Sequence, residues 1–324
     1  MRIVTTLPSA TETVAALGRE PVGVSHECDY PPAAASAPAV TRSRIDASGS
    51  SGEIDQQVLE TADTEGGVYD VDVETLAELE PDVIVTQGMC DVCAVDVAVI
   101  EDAVDRIDAD PEIVPTDPHS VGDVLGDLER IGRAIGREER AREVRRDLES
   151  RIEAIRIRTA DIAAEDRPRV AVFDWTDPVM VAGHWTAELV DWAGGEYGLA
   201  DVGEASSPRE WDDIRDYDPE LAVVAPCGFG LEQTARNRTD LTERDGWADL
   251  TAVREGRVWA MDGDHYLNRP GPRLVDTLEA LAPIVQPNRF DGPAADIAVP
   301  FGELENLETA RDKSESRTEV DSSP

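Results

Sequence analysis

Lysine is almost missing from this sequence. Of 30 basic residues one, Lys313, is a lysine and the rest are arginine. Acids outnumber bases 69 to 30, a formal charge of -39, and they are spread along the whole chain rather than gathered in a tail. A field of that sign repels nucleic-acid phosphates and anionic membrane surfaces, so neither is expected as a partner. The composition reads as a surface adapted to a salt-rich cytoplasm, where the Debye length falls to about 3 Å at 1 M and self-repulsion is screened.

Long apolar runs are missing too. No stretch approaches the roughly 20 apolar residues of a spanning helix, so membrane insertion is not expected. The opening "MRIVTTLPSATE" has one basic residue, a short apolar run and then polar residues, with no signal-peptide core. A cytoplasmic protein is expected. Cysteine is scarce, at four: Cys28, Cys90, Cys93 and Cys227. In a reducing compartment these read as thiols or metal ligands rather than disulfides. There is no Gly-rich phosphate loop, no G-x-S-x-G and no H-E-x-x-H. No paired acid and base or activated nucleophile is legible from spacing, so an enzyme is not expected.

What is present is alternation. The 324 residues, 41% of them hydrophobic, suffice for two domains at roughly 100–200 residues each. "RIVTT", "PVGVS", "DVIVT" and "EIVPT" read as strands. "SATETVAALG", "DVETLAELE" and "VAVIEDAVDRI" read as helices between them. Ser9 and Glu12 form the S-x-x-E pattern of a capping box. Residues 37–68 read as a polar loop with a short helix near 54–61. A helical stretch follows, broken near Gly136 and expected to run to Pro168. The alternation then resumes through "RVAVFDW", "TAELVDWAGG", "LAVVA", "LEQTARN", "RVWAMD" and "RLVDTLEALAPIV", and periodicity fades beyond about residue 288. This is an α/β pattern with parallel sheets. The expected organisation is an N-terminal lobe over 1–117, linker helices over 118–166, a C-terminal lobe over 167–287 and an acidic, partly disordered tail over 288–324. The lobes echo each other: "LAELEPDVIVTQGMC" parallels "IRDYDPELAVVAPC", and "PSATETVAALG" parallels "GHWTAELVDWAGG".

In open parallel sheets, ligands bind beyond the carboxyl ends of the strands. His26 and Cys28 follow one predicted strand, Cys90 and Cys93 a second, Cys227 a third, and His265 and Tyr266 a fourth. Ser9 and His184 stand before the first helix of each lobe. If the lobes face each other, these residues line one cleft, with His119 outside it at the start of the linker helices. Tyr30, Trp175, Trp185, Phe229 and Tyr266 share the rim and suit a bulky, partly apolar ligand. Arg42, Arg44, Arg269 and Arg273 could take its carboxylates or phosphates in bidentate fashion, with Asn268 and Arg269 stiffened by Pro270 and Pro272.

Blander readings stand beside these. Cys90-x-x-Cys93 is half of a usual zinc motif; it is equally a packed corner, a redox pair or, with a third ligand, a metal site. Cys28 and Cys227 also read as small buried hydrophobes. A lone histidine is more often a structural hydrogen-bonder than a ligand, and Ser9 reads first as a helix cap and second as an anion contact.

The segments "LPSATETVAALG", "VGVSHECDYP", "LEPDVIVTQ", "AGHWTAELVDWAGG" and "NRPGPRLVDTLEAL" together resemble the cobalamin and iron-siderophore substrate-binding proteins of ABC importers, the helical-backbone metal receptors, over roughly residues 1–287. The resemblance implies two Rossmann-like lobes with parallel sheets joined by a long backbone helix, as in class III periplasmic binding proteins, and one small-molecule metal chelate held between them. "HECDYP", "CDVC", "GHW", "PCGF" and "NRPGPR" resemble a signal-less cytoplasmic branch of that family. That narrower likeness implies cleft roles for His26, Cys28, Cys90, Cys93, His184, Cys227 and Asn268. The expected ligand is cobalamin or another corrinoid, with His184 or His265 as an axial donor and thiolates on cobalt or a softer metal. A metal ion or cluster on the Cys and His residues is the alternative, and a corrinoid-modifying or thiol redox enzyme the third. The resemblance also implies a link to ABC-type uptake with an ABC transporter permease as partner, against which stand two departures: the family's export signal finds no match here, and its permease-docking glutamates have no clear counterpart because residues 37–68 differ.

Overall fold

The computed structural model describes residues 1–62, 67–89, 92 and 94–304. They form two compact α/β units. The first comprises Met1–Gly49, Glu53–Glu153 and Arg269–Val275; the second comprises Ser50–Gly52, Ala154–Asn268 and the chain from Asp276 onward.

The first unit begins with β1 (Ile3–Thr5) and α1 (Pro8–Ala16). Two short strands, β2 (Thr41–Ser43) and β3 (Tyr69–Val71), pair antiparallel across α2 (Ser51–Ala62). Then come α3 (Val73–Leu79), β4 (Val83–Gln87), α4 (Val97–Val104) and β5 (Glu112–Thr116). Among the described residues the main sheet has the order β1-β4-β5, all parallel, with Ile3 opposite Val83 and Val85 opposite Val114. Every residue of β1 and β4 is buried, as expected of parallel strands covered on both faces. Local chemistry sets the helix ends. Asp72 caps α3 by accepting from the Thr75 amide at 3.0 Å, and Glu80 turns left-handed (φ 41) before Pro81. Two long helices follow: α5 (Val121–Ala134), capped by Ser120, and α6 (Glu138–Thr159), whose residues start in the first unit and end in the second.

The second unit contains β6 (Val170–Thr176), β7 (Val179–Val181), α7 (Thr186–Trp192), β8 (Ser207–Pro208), α8 (Trp211–Tyr217), β9 (Leu221–Val224), α9 (Leu231–Arg236), α10 (Thr239–Thr242), α11 (Thr251–Arg254), β10 (Val258–Met261), α12 (Leu274–Val285) and β11 (Ala298–Pro300). The sheet order is β11-β10-β9-β6-β7-β8 among the described residues. Its centre, β10-β9-β6, is parallel, with Val223 between Val172 and Trp259, and its edges are antiparallel. Phe173, Ile214, Ala222, Val224 and Trp247 anchor the core beneath it.

Four sequence expectations are corrected. Ser9 does not cap α1. Pro8 fits the first helical turn with its fixed φ, which moves the cap back to Leu7, in extended geometry and without a side-chain bond. Glu12, the other half of the expected capping box, turns to arginines instead. The 37–68 loop hides β2, whose partner β3 lies beyond α2. The charged helix stops at Thr159, well short of Pro168. There the Thr159 hydroxyl donates to the Trp192 carbonyl at 2.8 Å, and Ile162 packs onto the corner at Gly194 (φ 86), where a Cβ would stand 2.7 Å from the Ile162 methyl. Finally, the stretch beyond 288 supplies an edge strand, β11, with Phe301 beside Trp247 at 5.9 Å. No helix among the described residues is long and apolar enough to cross a membrane.

Candidate functional site

In the second unit three adjacent parallel strands end side by side, and each carboxyl end carries a predicted site residue. Trp175 closes β6. Cys227 follows β9 in the turn 225–229. His265 follows β10 in a single π-type turn, Gly263–Leu267. The turns are interlocked through the backbone. The Cys227 amide donates to the Asp174 carbonyl at 2.9 Å, and the Gly263 amide to the Phe229 carbonyl at 3.0 Å. Glycine at 263 is required by this approach, because a Cβ there would lie 2.2 Å from the Pro226 carbonyl oxygen.

The π-type turn is fastened at both ends. Asp262 accepts from the His265 amide at 2.7 Å through one carboxylate oxygen and meets His265 Nδ1 at 2.7 Å with the other. At the far end the Leu267 carbonyl accepts from the Trp185 indole at 3.0 Å. Asn268 spends its amide on the carbonyls of Ala225 and Gly263, both at 3.0 Å. Asn268 and Trp185, expected to touch ligand, thus build the rim from beneath. Trp185 and Phe229 are buried, and Phe229 backs Trp175 with ring centroids 5.1 Å apart. The aromatic surface is therefore narrower than expected: Trp175 and Tyr266 are half-buried here.

The 183–185 corner is held differently. His184 adopts a left-handed backbone (φ 53), an uncommon conformation for a residue with a Cβ. The pairing of its amide with the Glu204 carbonyl at 2.5 Å, and of its own carbonyl with the Gly203 amide at 3.0 Å, holds it there. Beside it Ser206 accepts from the Gly183 amide at 3.0 Å and also bonds Asp174. Asp174 is buried, and that burial raises its carboxyl to about 6.

In the first unit the carboxyl ends carry mostly buried hydroxyls. Thr5 and Thr11 bond at 2.6 Å, Thr6 and Thr86 at 2.8 Å. Cys28 joins this interior, 6% exposed, with Sγ 3.0 Å from the Thr11 hydroxyl. Burial pushes its thiol up to about 11, so it is a protonated, packed side chain. Ser9 is also buried. His26 sets Nδ1 against the Thr41 hydroxyl at 2.9 Å, and partial burial lowers its pKa toward the neutral ring. Tyr30 is exposed, with Arg273 over its ring at 4.4 Å.

Arg269 is only 5% exposed, and its guanidinium meets Glu12 at 3.0 Å and Asp29 at 2.5 Å. Arg273 adds a second contact to Glu12 at 2.8 Å. Charges predicted to meet a ligand thus pin the segment 269–275 to α1. Arg42 and Arg44 share Asp70, Arg42 at 3.7 Å on the exposed surface. His119 pairs with Asp117 at 3.0 Å. Cys90 and Cys93 lie outside the described residues. Among those described, no three His, Cys, Asp or Glu side chains gather to hold a metal ion, and Cys28 and Cys227 form no disulfide. Two surface hollows of about 310 and 400 Å³ in the second unit, one beside Arg167 and Tyr197 and one beside Trp211 and Arg244, include none of the predicted residues. Asp262 is the residue sequence reasoning missed; its signal is the D-x-x-H spacing directly after a strand.

Comparison with known proteins gives a consistent picture. The sequence profile of the periplasmic binding protein family matches residues 3–265. An uncharacterised ABC transporter substrate-binding lipoprotein of Bacillus subtilis, YvrC, is 24% identical over 229 residues, 69% of this chain and 68% of the relative. Among solved structures, the periplasmic vitamin B12 binding protein BtuF of Vibrio cholerae superposes with a TM-score of 0.64 at 20% identity, covering 88% of this chain and 96% of the other. The periplasmic heme-binding protein RhuT of Roseiflexus sp. RS-1 gives 0.65 at 23%, covering 88% and 97%.

Proposed function

We propose that this chain, which belongs to the periplasmic binding protein family, is a solute-binding protein whose ligand is a corrinoid or a related flat metal chelate taken at the carboxyl-end rim of the second unit. The observation that carries this is the placement of Trp175, Cys227 and His265 on neighbouring strand ends of one sheet, where open α/β sheets bind ligands. The donor set fits such a group. Trp175 and Tyr266 offer ring surface for a macrocycle, and an imidazole offers a nitrogen for the metal. The vitamin B12-binding and heme-binding neighbours support a metal tetrapyrrole over a bare ion. Bound there, the metal would supply an open axial position, and the protein would supply the ligand to fill it.

The YvrC relative supports a role in ABC-type uptake, with a permease as partner. The charge of -39 supports work at high salt. The test is an absorbance titration of the purified protein with cobalamin, cobinamide and heme in molar KCl. A saturable shift of the visible bands is expected with at least one of them. No shift with any, together with no calorimetric heat, would end this reading.

A further inference from the structure

A carboxylate taken out of water is normally matched by a cation, because a dry, unmatched charge is expensive. Four carboxylates are buried among the described residues: Glu12, Asp127, Asp174 and Asp262. Glu12 has Arg269 at 3.0 Å and Arg273 at 2.8 Å, and Asp127 has Arg130. Asp174 and Asp262 meet no arginine. Both stand on the second unit's rim. Asp174 directly precedes Trp175 in β6, and Asp262 directly follows β10. With β9 between those strands, the two positions are two strand spacings apart, roughly 10 Å. The Asp174 carboxyl bonds Ser206, while its Oδ1 is buried and accepts no hydrogen bond. Asp262 meets the amide and the ring of His265, both at 2.7 Å. Asp264 adds a third, more exposed acid to the same turn.

No base in the strand-end segments answers these acids. Residues 174–178, 225–230 and 262–268 contain neither lysine nor arginine. Arg244, beside β6, donates to the Thr176 carbonyl at 3.1 Å and to Asp177 at 3.3 Å. Arg269, next to Asn268 in the chain, turns to Glu12 and Asp29.

We propose that this rim selects its ligand by charge: it takes a metal chelate of net positive charge without carboxylates, for which Asp174 and Asp262 are the buried counter-charges. The inference rests on the solute-binding reading above and narrows its ligand class. A chelate edged with carboxylates, such as heme with its propionates, would set like charges together in a dry site, which rejects the wrong partner. A corrinoid edged with amides around a trivalent metal brings the opposite sign. The acids of the outer surface cannot make this choice at high salt. At 1 M their reach falls to about 3 Å, whereas buried charges are screened much less. A preference that survives molar salt therefore belongs to the buried pair.

The test compares two corrinoids that share a ring and differ at its edge: aquocobinamide, edged with amides, and aquocobyrinate, edged with carboxylates. Each is dialysed to equilibrium against the full chain in molar KCl at pH 8, and bound cobalt is measured. That pH keeps Asp174 ionised, since burial lifts it only to about 6. One unit charge about 10 Å away, at an effective dielectric of about 20, changes affinity about tenfold. Cobinamide is expected to bind more tightly than cobyrinate by at least about that factor. Asp174→Asn should weaken cobinamide and strengthen cobyrinate, and Asp262→Asn should do the same. A merely structural role would move both ligands in one direction, and that result would overturn the proposal. If the Asp262 variant fails to fold, Asp174→Asn still decides. Equal affinities in the wild type, or tighter binding of cobyrinate or heme, would overturn charge selection and leave the solute-binding reading standing. Saturable binding of none of the three would sink that reading and this inference with it.

Discussion

Arg269 stands 3.0 Å from Glu12, although 257 positions separate them in the chain. Both are buried, so their charges have little water to fall back on. Removing Arg269 leaves the buried Glu12 carboxylate with Arg273, 2.8 Å away, as its remaining cation. Arg269→Ala is expected to cost about 1.5–3 kcal/mol in urea unfolding, the range of a lost hydrogen bond to a charged group. Arg42→Ala, which breaks an exposed pair with Asp70, should cost less than about 1 kcal/mol. Equal losses in the two variants would refute the buried-anchor role of Arg269.

Asp174 gives a pH dependence whose sign can be worked out. Burial holds its carboxyl at about 6 in the folded protein, against about 3.9 in an unfolded chain. The folded state therefore binds the proton more tightly, and stability falls as pH rises through that window. The contribution is complete below about pH 4 and gone above about pH 6, and it corresponds to roughly 3 kcal/mol. Asp174→Asn mimics the protonated acid. Its stability relative to wild type should climb between those limits and then level off. A difference that stays flat across the range would contradict the buried acid.

The thiols should separate chemically. Cys28 is buried, with its thiol pushed up to about 11, whereas Cys227 is exposed. Iodoacetamide at about pH 7.5 should label Cys227 in the native protein and leave Cys28 untouched until urea is added, because the thiolate is the nucleophile. Peptide mass spectrometry reads this directly, and native labelling of Cys28 would be incompatible with its place beside Thr11.

Charge makes a further demand. With a formal -39, self-repulsion must be screened, and at 1 M salt the screening length is about 3 Å. The thermal midpoint should rise steeply as KCl goes from millimolar to molar. An unchanged midpoint would mean that the acids are balanced locally and that salt is not part of this protein's working condition.

How much of this was legible beforehand follows from how local each feature is. The buried strands β4, β6 and β9 announce themselves as short runs of β-branched residues, and α3 ends where Pro81 forces it to. The reading of strand ends therefore put Trp175, Cys227 and His265 near the carboxyl ends of β6, β9 and β10, where the fold has them. Features that depend on a distant partner were not legible. Glu12 reads as half of a capping box until Arg269 and Arg273 arrive. β2 is three residues long and has no meaning without β3. Trp185 and Phe229 read as ring walls because aromatic character says nothing about which face is covered. The role of Asn268 was hidden because its amide answers carbonyls that only the folded turn brings near.

The central claim is that this chain retains a metal chelate on the second unit's rim. Equilibrium dialysis against cobinamide in molar KCl, followed by cobalt analysis, measures it without depending on any band assignment. One cobalt per chain at saturation is expected for the wild type, with retention lost in a Trp175→Ala, His265→Ala double variant. Cobalt at background in the wild type, or undiminished in the variant, would contradict it.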